Sequence, residues 1–256
     1  MLFSELTATV TIAPPTITFS NATPYTYNGS NQSPGYTQNS CYGTGVTITY
    51  VVLSSSFSYS GFGPPIYEGN YRMDVRIDGG TCNAQVFSTT FIITKLPITI
   101  TASANTKVYD GTVSATATPT LTGTLASGDV GTYSETYDTK TQGINKVLTP
   151  AVLSILDATN ASMTGNYSIT YSSINTGVIT ELPLTVTATA SDKVYDGNKT
   201  ANVSLSSNKL GADVITLTKT LAEFDTKDVG TGKTVNVTGI TTVSYTHLTL
   251  PTKRIV

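Results

Sequence analysis

The residues able to do chemistry in this chain are few, and their spacing is poor for most reactions. His247 is the single histidine, and the cysteines are Cys41 and Cys82. A serine or cysteine nucleophile needs an imidazole within reach of it. His247 lies in the C-terminal stretch 243–256, which is set aside below, and outside that stretch no Ser-His-Asp, Cys-His or H-E-x-x-H set can be assembled. Gly43-Thr44-Gly45 lacks the helix signal that a phosphate-cradling loop requires. Asp225 and Asp228 could contribute to a calcium site, but no dense Asp/Asn loop surrounds them, and a solvated turn is the simpler reading. The expectation is a protein that is not an enzyme and has no cofactor and no metal.

Two kinds of covalent chemistry remain open. Cys41 and Cys82 would close a loop of about 40 residues, worth roughly 3–4 kcal/mol as a disulfide. With no histidine nearby they make a poor zinc site. Lys107 and Lys193 are conceivable nucleophiles for a self-made isopeptide with a buried asparagine under a nearby acid.

Those two lysines head the same phrase. Lys107-Val108-Tyr109-Asp110-Gly111 recurs as Lys193-Val194-Tyr195-Asp196-Gly197, 86 positions later. Around it, Leu96-Pro97-Ile98-Thr99 matches Leu182-Pro183-Leu184-Thr185, and Gly128-Asp129-Val130 matches Ala212-Asp213-Val214. Tyr137-Asp138-Thr139-Lys140 likewise matches Phe224-Asp225-Thr226-Lys227. A more distant copy opens at Pro15 and carries Tyr27-Asn28-Gly29, while Gly69-Asn70-Tyr71 resembles Gly165-Asn166-Tyr167. A repeat of roughly 85 residues is the size of one small β domain. The expected modules are residues 7–94, 95–181 and a truncated 182–242.

Periodicity is two nearly throughout. In Tyr71–Asp78, apolar Tyr71, Met73, Val75 and Ile77 alternate with Arg72, Asp74, Arg76 and Asp78, so one face is core and the other a solvated, sign-alternating stripe. Further strands are expected at 46–53, 87–94, 98–102, 167–171, 177–180, 184–188, 214–217 and 234–237, punctuated by Asn-Gly and Asp-Gly turns. Only Ala151–Met163 invites a helix, weakly. The fold class expected is all-β: tandem immunoglobulin-like antiparallel sandwiches. Joins at Thr94–Pro97 and Thr180–Pro183 are too short to swivel freely, so three modules should form a semi-rigid rod on the order of 100 Å long. In each repeated phrase, Asp-Gly makes a tight turn and either the valine or the tyrosine enters the core. Tyr109, Asp110, Gly111, Tyr195, Asp196 and Gly197 are therefore read as a structural turn motif.

The net charge is −2 and only 12% of residues are charged, which speaks against nucleic acid and anionic membranes as partners. No apolar run is long enough to cross a membrane, and Met1–Glu5 lacks the pattern of a signal peptide.

The Lys-Val-Tyr-Asp-Gly phrase, the Asp-Val pair, Asp225–Lys233 and Gly165-Asn166-Tyr167 resemble the YDG domain, a repeat of large bacterial surface proteins including filamentous-haemagglutinin-like adhesins. Module one, with Tyr27-Asn28-Gly29-Ser30, Gln32-Ser33-Pro34 and Glu68-Gly69-Asn70-Tyr71, resembles the related MBG-type bacterial Ig-like module. The resemblance implies β-sandwich repeats of a secreted or cell-surface protein and brings no catalytic or ligand residues. Residues 243–252 resemble a translated sequencing adapter, so 243–256 are not expected to join the fold. Two functions follow as expectations. The first is a stalk or spacer, whose partners are its neighbouring repeats. The second is direct binding of a host glycan or protein through the aromatic loop of module one, with Tyr59, Phe62 and Tyr67 as its ligand residues.

Overall fold

The computed structural model describes residues 16–21, 24–38, 45–59, 63–79, 85–211 and 213–244. Among these the chain is built of strands. Module one contains β1 (Ile17–Ser20), β2 (Tyr25–Thr26), β3 (Gly35–Gln38), β4 (Gly45–Ser54), β5 (Gly69–Asp78) and β6 (Gln85–Thr94). One sheet runs β2-β6-β5-β4, and β1 pairs with β3 in a second. The alternation read in β5 is realised. Tyr71, Met73, Val75 and Ile77 are at most 1% exposed, while Arg72 grips Asp74 at 2.9 Å on the outer face.

Module two contains β7 (Leu96–Thr101), β8 (Thr106–Val108), β9 (Thr120–Thr122), β10 (Val130–Tyr137), β11 (Gly143–Leu156), a 3-10 turn at Thr164–Asn166, β12 (Tyr167–Ser172) and β13 (Ile174–Thr180). A four-stranded sheet, β10-β11-β13-β8, and a three-stranded sheet, β12-β7-β9, give the strand complement of a small sandwich. Module three contains β14 (Val186–Ala190), β15 (Val203–Ser207), β16 (Ile215–Thr218), β17 (Leu221–Phe224), β18 (Val235–Thr238) and β19 (Thr241–Ser244), paired as β14-β15, β16-β19 and β17-β18. Val243 and Ser244, set aside on sequence as part of a non-folding tail, lie in β19 opposite Thr216 and Ile215.

Two expectations need adjusting. Pairing is mostly antiparallel, but β2 lies parallel to β6 and β8 parallel to β13. In each case the chain leaves a strand of one sheet and crosses to the edge of the other, where the module's last strand runs the same way. Ala151–Met163 is no helix. β11 continues to Leu156, and the Asp157 carboxylate then accepts the backbone N–H groups of Thr159 and Ala161, closing a turn with Asn160 at φ 63°. The compact units also cross the sequence modules. One unit comprises Met1–Ile100, Leu121–Tyr133 and Val152–Tyr171; the other comprises Thr101–Thr120, Ser134–Ala151 and Ser172–Val256. The first has a core in which Tyr27, Tyr71 and Phe91 of module one pack with Ile98, Ile100, Ile155 and Tyr167 of module two. The second holds two smaller cores, one around Tyr109, Tyr137, Leu148 and Ile179, the other around Ala201, Val203 and Ala222.

Candidate module-joining site

Parallel pairing delivers each tyrosine of the repeated turn to the edge of its module. The Tyr109 N–H donates to the Thr180 carbonyl at 2.8 Å, and that of Tyr27 donates to Thr94 at 2.9 Å. Beyond the tyrosine the chain must reverse at once. Gly111 takes φ +77° and Gly29 φ +78°, conformations that a side chain would strain. Asp110 fixes the turn by accepting the Thr112 N–H at 2.9 Å and the Lys107 ammonium at 2.7 Å. Lys107 also donates to the carbonyls of Thr112 and Ser114 at 2.8 and 2.9 Å and stands over the Tyr137 ring. Burial pushes the Asp110 carboxyl up, but the bonds from Lys107 and Thr112 outweigh it and hold the group below the usual range. Lys107 is thus a charged strut. Asn105, the nearby buried asparagine, is engaged with Tyr137 and Thr116 instead, so the isopeptide geometry is not assembled there.

Module three repeats the turn closely. Lys193 binds Asp196 at 2.7 Å and the carbonyls of Asn198 and Thr200, Asp196 accepts the Asn198 N–H, and Gly197 has φ +80°. The Lys193 bond keeps the Asp196 carboxyl below its usual range.

The tyrosine hydroxyls show what the motif does. The Tyr27 hydroxyl donates to Asp129 Oδ2 at 2.9 Å, and that of Tyr109 donates to Asp213 Oδ1 at 2.7 Å. Both rings are 2% exposed. In each pair the tyrosine belongs to one sequence module and the aspartate to the next, and each bond lies inside one compact unit. The aspartates sit in matching turns: Asp129 N–H donates to the Ala126 carbonyl and Asp213 N–H to that of Leu210. Gly29 faces Ala126, and Gly111 faces Leu210, so the same turn nests on the same glycine twice.

Asp129 also takes the Tyr167 hydroxyl at 2.6 Å, and that hydroxyl accepts the Ala126 N–H at 3.0 Å. Asp213 Oδ2 is buried with no such partner. Burial, then the bond to Asp129, raises the Tyr27 and Tyr167 phenols far above their ordinary range. The bond to Asp213, followed by burial, raises Tyr109. A further contact reinforces the first joint: the Glu68 N–H donates to the Asn166 side chain at 2.9 Å.

Of the residues expected to act, Tyr109 enters the core while Val108 stays half exposed. Tyr195 and Val194 are both outside, at 60% and 89% exposure. The described aromatic residues of the module-one loop turn inward. Tyr67 stacks on Phe57 at 4.7 Å, Tyr59 meets the edge of Tyr71, and both tyrosines pack against the core. Phe62, Cys41 and Cys82 lie outside the described residues. Asp225 is tied to Lys233 at 3.4 Å. Among the described residues no cluster of three metal-ligating side chains occurs, and no helix is long and apolar enough to cross a membrane. The functional residues missed on sequence are Asp129, Asp213 and Tyr167. The aspartates were visible as a matched pair within the repeat, but nothing local links them to tyrosines about a hundred positions away.

The YDG domain model matches this chain twice, over residues 94–175 and 180–247. No curated protein matches it.

Proposed function

From its membership of the YDG domain family, to which this chain belongs, we propose that it is a structural repeat region, a stalk or spacer within a secreted or cell-surface bacterial adhesin. One observation carries the reading. The side chain that gives the repeated turn its character, the tyrosine, is committed in modules one and two to a buried bond with the following module. A residue used to hold neighbours together is withdrawn from ligands. Stacked repeats that share such contacts gain stability from each neighbour, which suits a chain whose work is to span distance. The aromatic loop also supports it, because Tyr59 and Tyr67 pack against the core that modules one and two share.

The test exposes the full chain to arrays of glycans and immobilised host matrix proteins. A spacer gives no saturable binding to any of them. Saturable binding that disappears in a Tyr59→Ala, Phe62→Ala variant of unchanged stability would overturn the proposal in favour of recognition by module one.

A further inference from the structure

In the four-stranded sheets of modules one and two, the first strand in the chain pairs with the last, and the two run the same way. β8 meets β13 with Thr106 opposite Val178, Lys107 opposite Ile179 and Val108 opposite Thr180. β2 meets β6 with Tyr25 opposite Ile93 and Thr26 opposite Thr94. Chain direction then fixes how a pull along the polypeptide is felt. Tension draws β8 backward through its N-terminal end and β13 forward through its C-terminal end. Because the strands are parallel, these pulls oppose each other along one axis, and the evenly spaced bonds of the ladder share the force in shear. Antiparallel strands in the same places would be peeled from one end, one bond at a time.

The bonds that must break together are short and repeated. In module two the Val178 N–H donates to the Asn105 carbonyl at 3.0 Å, the Tyr109 N–H to that of Thr180 at 2.8 Å, and the Thr180 hydroxyl to that of Lys107 at 3.3 Å. In module one the Tyr27 N–H donates to the Thr94 carbonyl at 2.9 Å and the Thr94 hydroxyl to that of Tyr25 at 2.9 Å. Behind each ladder stands the repeated turn. Withdrawing β8 drags the buried Tyr109 ring out of its core. It also strips the Lys107 ammonium from the carbonyls of Thr112 and Ser114, and Ser114 is itself bridged to Thr136 of β10. On one short strand the tyrosine is a plug and the lysine a latch. Tyr27 plugs β2 in the same way.

We infer that these modules bear tension along the chain, with β8–β13 as the mechanical clamp of module two and β2–β6 as its counterpart in module one. The inference rests on the spacer reading for the source of the load; the resistance belongs to the ladder itself.

The experiment pulls single molecules of the full chain in two directions, with Cys41→Ser and Cys82→Ser in both versions so that tethers attach only where intended. One version carries Ala104→Cys and Glu181→Cys, exposed positions before β8 and after β13, and is loaded in shear. The other carries Val108→Cys and Glu181→Cys, both at one end of the ladder, and is peeled. Either rupture frees roughly 75 residues, about 250 Å of chain, which marks the event as module two. At equal loading rate the sheared version should break at a force at least about twofold higher, since forced unfolding reads the barrier and not the equilibrium stability. Equal forces, or a higher force for the peeled version, would overturn the clamp and leave the spacer reading standing. Saturable ligand binding in the arrays would instead overturn the spacer reading, and a twofold difference in force would still uphold the clamp.

Discussion

Replacing Asp129 by alanine tests the joint most directly. In the native protein one carboxylate accepts two phenolic hydroxyls, from rings 2% and 3% exposed. A hydrogen bond to a charged group contributes about 1.5–3 kcal/mol net, and a buried donor left without an acceptor costs a similar amount. Because the carboxylate itself is only half-buried, the lower end applies, about 1.5 kcal/mol for each hydroxyl. Asp129→Ala should therefore cost about 3 kcal/mol, and Tyr27→Phe alone about 1.5 kcal/mol. The asymmetry between leaving a polar group unpaired and removing the whole set gives a sharper check. The triple variant Tyr27→Phe, Tyr167→Phe, Asp129→Leu removes both hydroxyls and the carboxylate together and should recover part of the loss, the Ala126 N–H that Tyr167 accepts being the donor it leaves behind. Urea unfolding of the full chain, followed by the near-ultraviolet dichroism of its tyrosines, measures the free energies. Hydrogen exchange over residues 25–30 and 125–130 localises them. Asp129→Ala within about 0.5 kcal/mol of wild type, or a double-mutant cycle between Tyr27 and Asp129 with no coupling, would show that the hydroxyls do not depend on this carboxylate.

Other outcomes follow from the same geometry. The phenols of Tyr27, Tyr167 and Tyr109 have raised folded-state values, so their contribution is fully present below the unfolded tyrosine value near 10 and is lost as pH rises above it. Stability should fall steeply in alkali, and Tyr→Phe at these positions should flatten the slope in a pH series of urea titrations. Gly177→Ala forces a Cβ against the Lys146 carbonyl and should destabilise module two by about 1–3 kcal/mol, measured as a lowered urea midpoint with local loss of exchange protection. Gly197→Ala meets nothing within 4 Å, so its cost is the left-handed backbone alone, about 1–2 kcal/mol in module three. Gly45 pairs with Asp78, and Cys41 and Cys82 stand four positions beyond that pair on either side. Intact mass should show the loss of two hydrogens, and reduction should lower the stability of module one by roughly 3–4 kcal/mol.

β5 was readable because burial imposes period two on it, and β4, β5 and β6 were all foreseen within two residues. β10 and the first half of β11 were not. They carry Ser134, Glu135 and Lys146 on half-buried or buried positions, and Glu135 and Lys146 are buried in spite of their charge. Glu135 does so by accepting the Ser103 N–H at 2.7 Å, a partner outside its own strand. The end of β11 read as a weak helix because Ala151–Leu156 is apolar on consecutive positions, and only the Asp157 turn ends it. The turn motif was legible as a turn, through its glycine and its aspartate. Its purpose was hidden in the third dimension, because Tyr27 and Tyr109 find their acceptors 102 and 104 positions downstream.

Each complete repeat carries both halves of the joint: a tyrosine that reaches forward and an aspartate that receives. Any copy can then follow any other, and unequal recombination can add or delete whole units without redesigning a junction. An interface that is head-to-tail and never closes on itself sets no limit on copy number. Module one is the exception in kind. It offers Tyr27 forward, but between Gly29 and Gly69 its only acidic residue is Glu68, whose backbone is already bound to Asn166. Through Tyr27 it reaches forward to Asp129, which gives this joint a direction written in its chemistry.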